Sequence, residues 1–157
     1  MKNIDIKYIW DKELAISSAA TLYEYELKNS NKRYVGWIFI AIMQFGVVGA
    51  IKHNVFGLLV VGTIMVVYWY SLRWPLREYF IKRTFDKSPL ANKTIHLIAK
   101  EDGIYKDDML QISYQDIYKT VQLESSVVLY YTGGTLYIPN KAFSSAKDRK
   151  EFLSILY

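Results

Sequence analysis

Two uninterrupted apolar runs lie back to back near the middle of the chain. Residues 34–51 read YVGWIFIAIMQFGVVGAI, residues 55–72 read VFGLLVVGTIMVVYWYSL, and only Lys52-His53-Asn54 separates them. Neither run carries a charge. At ~1.5 Å rise per residue each makes a rod of ~27 Å, close to the ~30 Å hydrocarbon core of a bilayer. The pattern predicts a two-helix transmembrane hairpin over residues 34–72. A soluble hairpin that is apolar on all sides would need a large protein cover, and residues 1–33 and 73–157 are too few to supply it.

The flanks show other periods. Ile4, Ile6 and Tyr8 alternate with polar residues and predict a short strand over 3–9. Asp11 is placed to cap a helix over 12–28, with Ile16, Ala20, Tyr23 and Leu27 on one face. That helix is expected to pack on the later domain or to lie along the membrane. Glu13, Glu24 and Glu26 speak against a lipid-bound helix, because anionic lipid prefers a basic polar face. Residues 73–87 continue the second run outward as a basic, aromatic segment in which Pro75 is expected to kink the helix. Ser88-Pro89 then marks a break.

From residue 92 the pattern is that of about six short strands: 94–99, 104–106, 109–114, 118–123, 127–131 and 135–138. Glu101-Asp102-Gly103, Asp107-Asp108 and Gly133-Gly134 supply turns. Ser145 with Asp148 resembles a capping box opening a last helix, whose stripe is Phe152, Leu153 and Leu156. The expected architecture is a membrane α+β protein: a transmembrane hairpin plus a small antiparallel sheet domain capped by a C-terminal helix. Its expected segments are 1–33 (strand and amphipathic helix), 34–72 (hairpin), 73–89 (basic exit) and 90–157 (sheet domain).

Basic residues orient the hairpin. Lys28, Lys32 and Arg33 precede it, Arg73, Arg77, Lys82, Arg83 and Lys87 follow it, and the turn holds only Lys52 and His53. Both termini are therefore expected in the cytoplasm, with the protein in a bacterial inner membrane. Tyr34, Trp37, Trp69 and Trp74 fall at one interface, where amphipathic rings are favoured.

The order of segments resembles the YcxB-like family of small bacterial membrane proteins. The local matches are Glu101-Asp102-Gly103-Ile104, Ser113-Tyr114-Gln115-Asp116-Ile117 and Leu136-Tyr137-Ile138-Pro139-Asn140-Lys141-Ala142-Phe143. In that family the second motif usually carries a tryptophan where this chain has Tyr114. The resemblance implies a pleckstrin-homology-like C-terminal domain. It brings no agreed activity and no catalytic residues.

The residues themselves argue against enzyme chemistry. The chain has no cysteine, only two histidines and no phosphate-cradling glycine loop. No cofactor or metal is expected. Asp107-Asp108 and Glu101-Asp102 read as solvated turns before they read as acid–base pairs. A net charge of +5 fits membrane topology, and nothing resembles a nucleic-acid module. Arg73, Arg77, Lys82 and Arg83 are the expected lipid-headgroup contacts, with Trp37, Trp69 and Trp74 as interface anchors. Gly46, Gly49, Ala50, Gly57 and Gly62 are candidates for close helix packing within the hairpin or against a second copy, and Gln44 for a hydrogen bond between helices. The function these features point to is a non-enzymatic membrane protein that presents its domain to a protein or lipid headgroup. The rivals are an immunity protein that neutralises a membrane-acting toxin and a small subunit of a transport or signalling complex.

Overall fold

The computed structural model describes residues 3–156. The expected cytoplasmic termini, Met1 and Tyr157, lie outside the described residues. The chain forms two compact units, one of Lys12–Ala91 and one of Met1–Asp11 with Asn92–Tyr157.

The first unit is helical: α1 (Lys12–Asn29), α2 (Val35–His53), α3 (Gly57–Val67) and α4 (Arg73–Thr84). Among the described residues, 31–53 and 57–87 form two continuous helical stretches long and apolar enough to cross a membrane. The hairpin turn is short because Asn54 adopts a left-handed conformation (φ 52°) and its N–H bonds back to Gly49 O, a common helix stop. The helix over 57–87 does not break at Pro75. A π-helical segment, Tyr68–Leu72, stands one turn before the proline, and the Arg73 N–H reaches Tyr68 O. Proline has no N–H to offer and crowds the carbonyl four residues back; an extra residue in the preceding turn absorbs that conflict without ending the helix.

α1 packs against α4 and runs antiparallel to it. Near its start Lys12 Nζ lies 3.4 Å from Asp86 Oδ2 and over the Phe85 ring. Near its end Tyr23 meets Trp74, ring centroids 5.5 Å apart. The deepest residues of α1 are Leu14, Ala15 and Ser18; the expected face of Ile16, Ala20, Tyr23 and Leu27 is half-buried.

The second unit is built from seven antiparallel strands among the described residues. One sheet runs in the order β1 (Ile4–Trp10), β2 (Lys93–Ala99), β3 (Gly103–Lys106), β4 (Met109–Ser113). The other runs β5 (Ile117–Gln122), β6 (Ser126–Tyr131), β7 (Gly134–Pro139), and α5 (Ala146–Leu156) follows. The N-terminal strand, grouped by sequence with residues 1–33, joins this unit: β1 pairs with β2 from Ile4↔Ala99 to Trp10↔Lys93. Its alternation is as expected, with Ile4, Ile6 and Tyr8 buried and the residues between them exposed. The core that fixes it includes Ile104, Leu129, Ile138 and Phe152, all fully buried. Ile6 also bridges to Phe143, and the Tyr8 hydroxyl donates to Tyr137 O at 3.2 Å, so β1 is tied to both sheets.

Candidate membrane and binding surfaces

In the hairpin, α2 and α3 meet along a seam of alternating small and large residues. A Cβ on Gly46 would stand 2.5 Å from the Leu59 Cα, and one on Gly62 would stand 2.7 Å from the Met43 Cα. These two glycines set the closest approach of the backbones, and Ala50 is buried beside them. Gly49 and Gly57 do not share this role: Gly49 would reach only Val55 O, at 3.7 Å, and Gly57 faces open space. Gln44 is exposed on the outside of α2 and so is not in the seam. Sequence reasoning missed Gly36, where a Cβ would meet Tyr70 Oη at 2.5 Å and Trp69 Nε1 at 2.8 Å. The signal was present, since Gly36, Phe39, Met43, Gly46 and Ala50 follow the three–four spacing of one helix face.

At the exit of the hairpin the aromatic and basic residues sort into two sets. Trp37 points outward and is 67% exposed. Trp69 and Trp74 turn toward neighbouring helices. Trp69 packs edge-on against Phe39, and the Arg73 guanidinium lies 4.1 Å over Trp69 and 5.0 Å over Tyr23. Arg77 lies 5.7 Å over the same Tyr23 ring. One guanidinium nitrogen of Arg73, Nη1, is buried without a hydrogen-bond partner. Ring faces accept its charge, as in a cation–π pair, so Arg73 fastens α1 to the exit helix. Lys82 pairs with Glu78 at 2.6 Å, one turn back, and Arg83 is exposed.

In the sheet unit the three short motifs are spent on architecture. Asp102 sits in the β2–β3 turn and accepts from the Tyr105 hydroxyl at 2.6 Å. Gly103 is needed because a Cβ there would collide with Ile112 O. Ser113 caps the helical turn Tyr114–Asp116, which carries the chain from one sheet to the other. The Tyr114 hydroxyl donates to Lys100 O at 2.9 Å, so a tyrosine anchors this crossing. In the third motif Asn140 clamps the β5–β6 turn: its N–H donates to Ser125 O (2.9 Å) and its side-chain amide to Glu124 O (2.8 Å). Phe143 packs at a tilt against Phe152 of α5, ring centroids 5.5 Å apart. Ser145 caps α5 as expected, accepting from the Asp148 N–H at 3.0 Å.

Three tyrosines here hold their protons unusually tightly. Burial pushes Tyr8 up to about 12. Burial, then the Asp102 charge, push Tyr114 up to about 12. The hydrogen bond to Asp102 raises Tyr105, with smaller contributions from desolvation and from the same charge. All three effects favour the neutral phenol, which suits a structural hydroxyl and not a catalytic base at neutral pH.

A groove of about 170 Å³ lies between β5 and α5, bordered by Tyr114, Ile117, Tyr118 and Thr120 on one side and Ile155 and Leu156 on the other. Small-molecule sites run to roughly 300–1,000 Å³, so this groove suits a side chain better than a substrate. Among the described residues no three or more His, Cys, Asp or Glu side chains are grouped to hold a metal.

No curated protein and no solved structure matches the chain. Residues 100–156 match the model of a family described as YcxB-like protein. The matched segment starts at Lys100, holds all three motifs, and runs through β3 to α5. Over residues 100–156 the chain is thus similar to the YcxB-like family.

Proposed function

We propose that this chain is a non-enzymatic membrane protein in which a transmembrane hairpin anchors a pleckstrin-homology-like domain that binds a protein partner or a lipid headgroup. The observation that carries the reading is how the helical unit joins the sheet unit. The chain leaves at Trp10 and returns at Lys93, and these residues are paired across β1 and β2; Asn92 N–H donates to Trp10 O at 2.9 Å. The anchor is thus an insertion within a strand pair, and the domain's first strand precedes it. Four strands, then three, then one C-terminal helix support the pleckstrin-homology-like reading. The motifs' structural use and the small groove favour surface binding over turnover. The basic residues around the hairpin favour cytoplasmic termini in a bacterial inner membrane.

Crosslinking and mass spectrometry on native membranes tests this reading. The expected result is a partner crosslinked to lysines of the sheet unit, such as Lys106 or Lys141. A membrane-acting toxin crosslinked to the hairpin alone would replace it with an immunity role.

A further inference from the structure

The outer face of α4, with Leu72 just before it, carries an apolar stripe exposed to its surroundings: Leu72, Leu76, Tyr79 and Phe80, the last two 54% and 57% exposed. At 100° per residue these four and Arg83 share one face. The opposite face holds Trp74 and Phe85, against Tyr23 and Lys12 of α1. The stripe continues the exposed line Val61, Ile64 and Tyr68 of the preceding helix. It ends at Arg83 and Lys87, both exposed. From Arg73 to Lys87 there are five basic residues and two acidic ones, and both acids pair with lysines: Glu78 with Lys82 and Asp86 with Lys12.

Length fixes where this stripe falls. The helical stretch from Gly57 has 31 residues, so it is ~46 Å long, against a ~30 Å hydrocarbon core and ~40–45 Å with headgroups. With Gly57 at one hydrocarbon boundary, Leu76 reaches the other at ~29 Å and Phe80 lies at ~35 Å. With a tilt of about 20° Arg83 falls at ~37 Å, at the outer edge of the far headgroup layer, and Lys87 at ~42 Å, a few ångströms beyond it, from where its long side chain can reach back to the phosphates. A rod standing free in water would expose Leu76, Tyr79 and Phe80; in the interface these residue types are favoured.

We infer that α4 is an interfacial helix, with Leu76, Tyr79 and Phe80 seated in the headgroup layer of an anionic bilayer and Arg83 and Lys87 on its phosphates. Charge complementarity and continuity with the lipid-facing surface select the bilayer as the occupant of this face. The inference rests on the hairpin spanning the membrane, so its test carries a control for that.

The chain has no cysteine, so single substitutions Val60→Cys, Leu76→Cys, Phe80→Cys and Thr135→Cys can each be spin-labelled in the full-length protein. The protein is reconstituted in vesicles of phosphatidylglycerol and phosphatidylcholine, and label depth is read from relaxation by oxygen and by a water-soluble nickel chelate. Labels at Leu76 and Phe80 should report a depth between those at Val60 and Thr135. Pure phosphatidylcholine, or Arg83→Gln with Lys87→Gln, should shift them toward water, by about fivefold in the seated-to-lifted ratio per charge. Nickel access at Leu76 and Phe80 equal to that at Thr135, with Val60 still in lipid, overturns the inference and leaves the anchor intact. Dipolar broadening at Phe80 would assign the face to a second copy and overturn it too. Nickel access at Val60 would overturn the membrane reading itself.

Discussion

Gly46 and Gly62 are the residues on which the hairpin closes, because any side chain there meets the partner backbone within 2.5–2.7 Å. Gly46→Ala or Gly62→Ala should each cost about 1–3 kcal/mol, the usual penalty for overpacking. Gly57→Ala, in open space, should be neutral or stabilise by up to about 1 kcal/mol. Thermal unfolding in mild detergent measures the contrast, and equal loss at all three positions would refute the seam. The buried tyrosines give a pH prediction. Folding raises Tyr8 and Tyr114 from 10.0 to about 12. The folded state therefore binds these protons more tightly. Their contribution is full below pH 10 and is lost as pH rises from 10 through 12. Denaturation of the detergent-solubilised protein should show stability falling across that window, and Tyr8→Phe should flatten part of the fall. At this scale sequence found Gly46, Ala50 and Gly62 by composition. It could not separate them from Gly49 and Gly57, because which glycine faces a neighbour depends on helix rotation and crossing point.

β1 shows how much one element can depend on residues far along the chain. Its period-2 pattern was readable in Ile4, Ile6 and Tyr8, but its partner, β2, begins at Lys93 on the far side of the helical unit. Because Ile4 and Ile6 are fully buried in the sheet unit, a fragment of residues 92–157 should remain unfolded. Joining residues 3–10 to 93–157 by a short turn, with the helical unit deleted, should give a folded, soluble domain. Far-ultraviolet circular dichroism with cooperative thermal unfolding checks both; a cooperatively folded 92–157 fragment would refute the role of β1. Strand boundaries from Lys93 onward were legible to within a residue or two, because alternation and turn residues are local signals. The course of the helix past Pro75 was not, because a proline's effect depends on whether the preceding turn can widen into a π segment.

For the molecule as a whole, the helical unit is an insertion in the chain between two paired strands, after Trp10 of β1 and before Lys93 of β2. If both ends of the chain lie in the cytoplasm, a reporter active only outside it, fused after Tyr157, should stay silent. Activity there would reverse the orientation inferred from Arg73, Arg77, Lys82 and Arg83. The sequence by itself determined the two apolar helices, the antiparallel tail and the capped last helix, since each rests on periodicity and capping within a few residues. Only the tertiary structure decided that β1 completes the C-terminal sheet, that Arg73 is stacked between Tyr23 and Trp69, and that three motifs serve as turns and clamps. Those outcomes depend on contacts between residues distant in the chain, and such contacts leave no periodic trace in either partner alone.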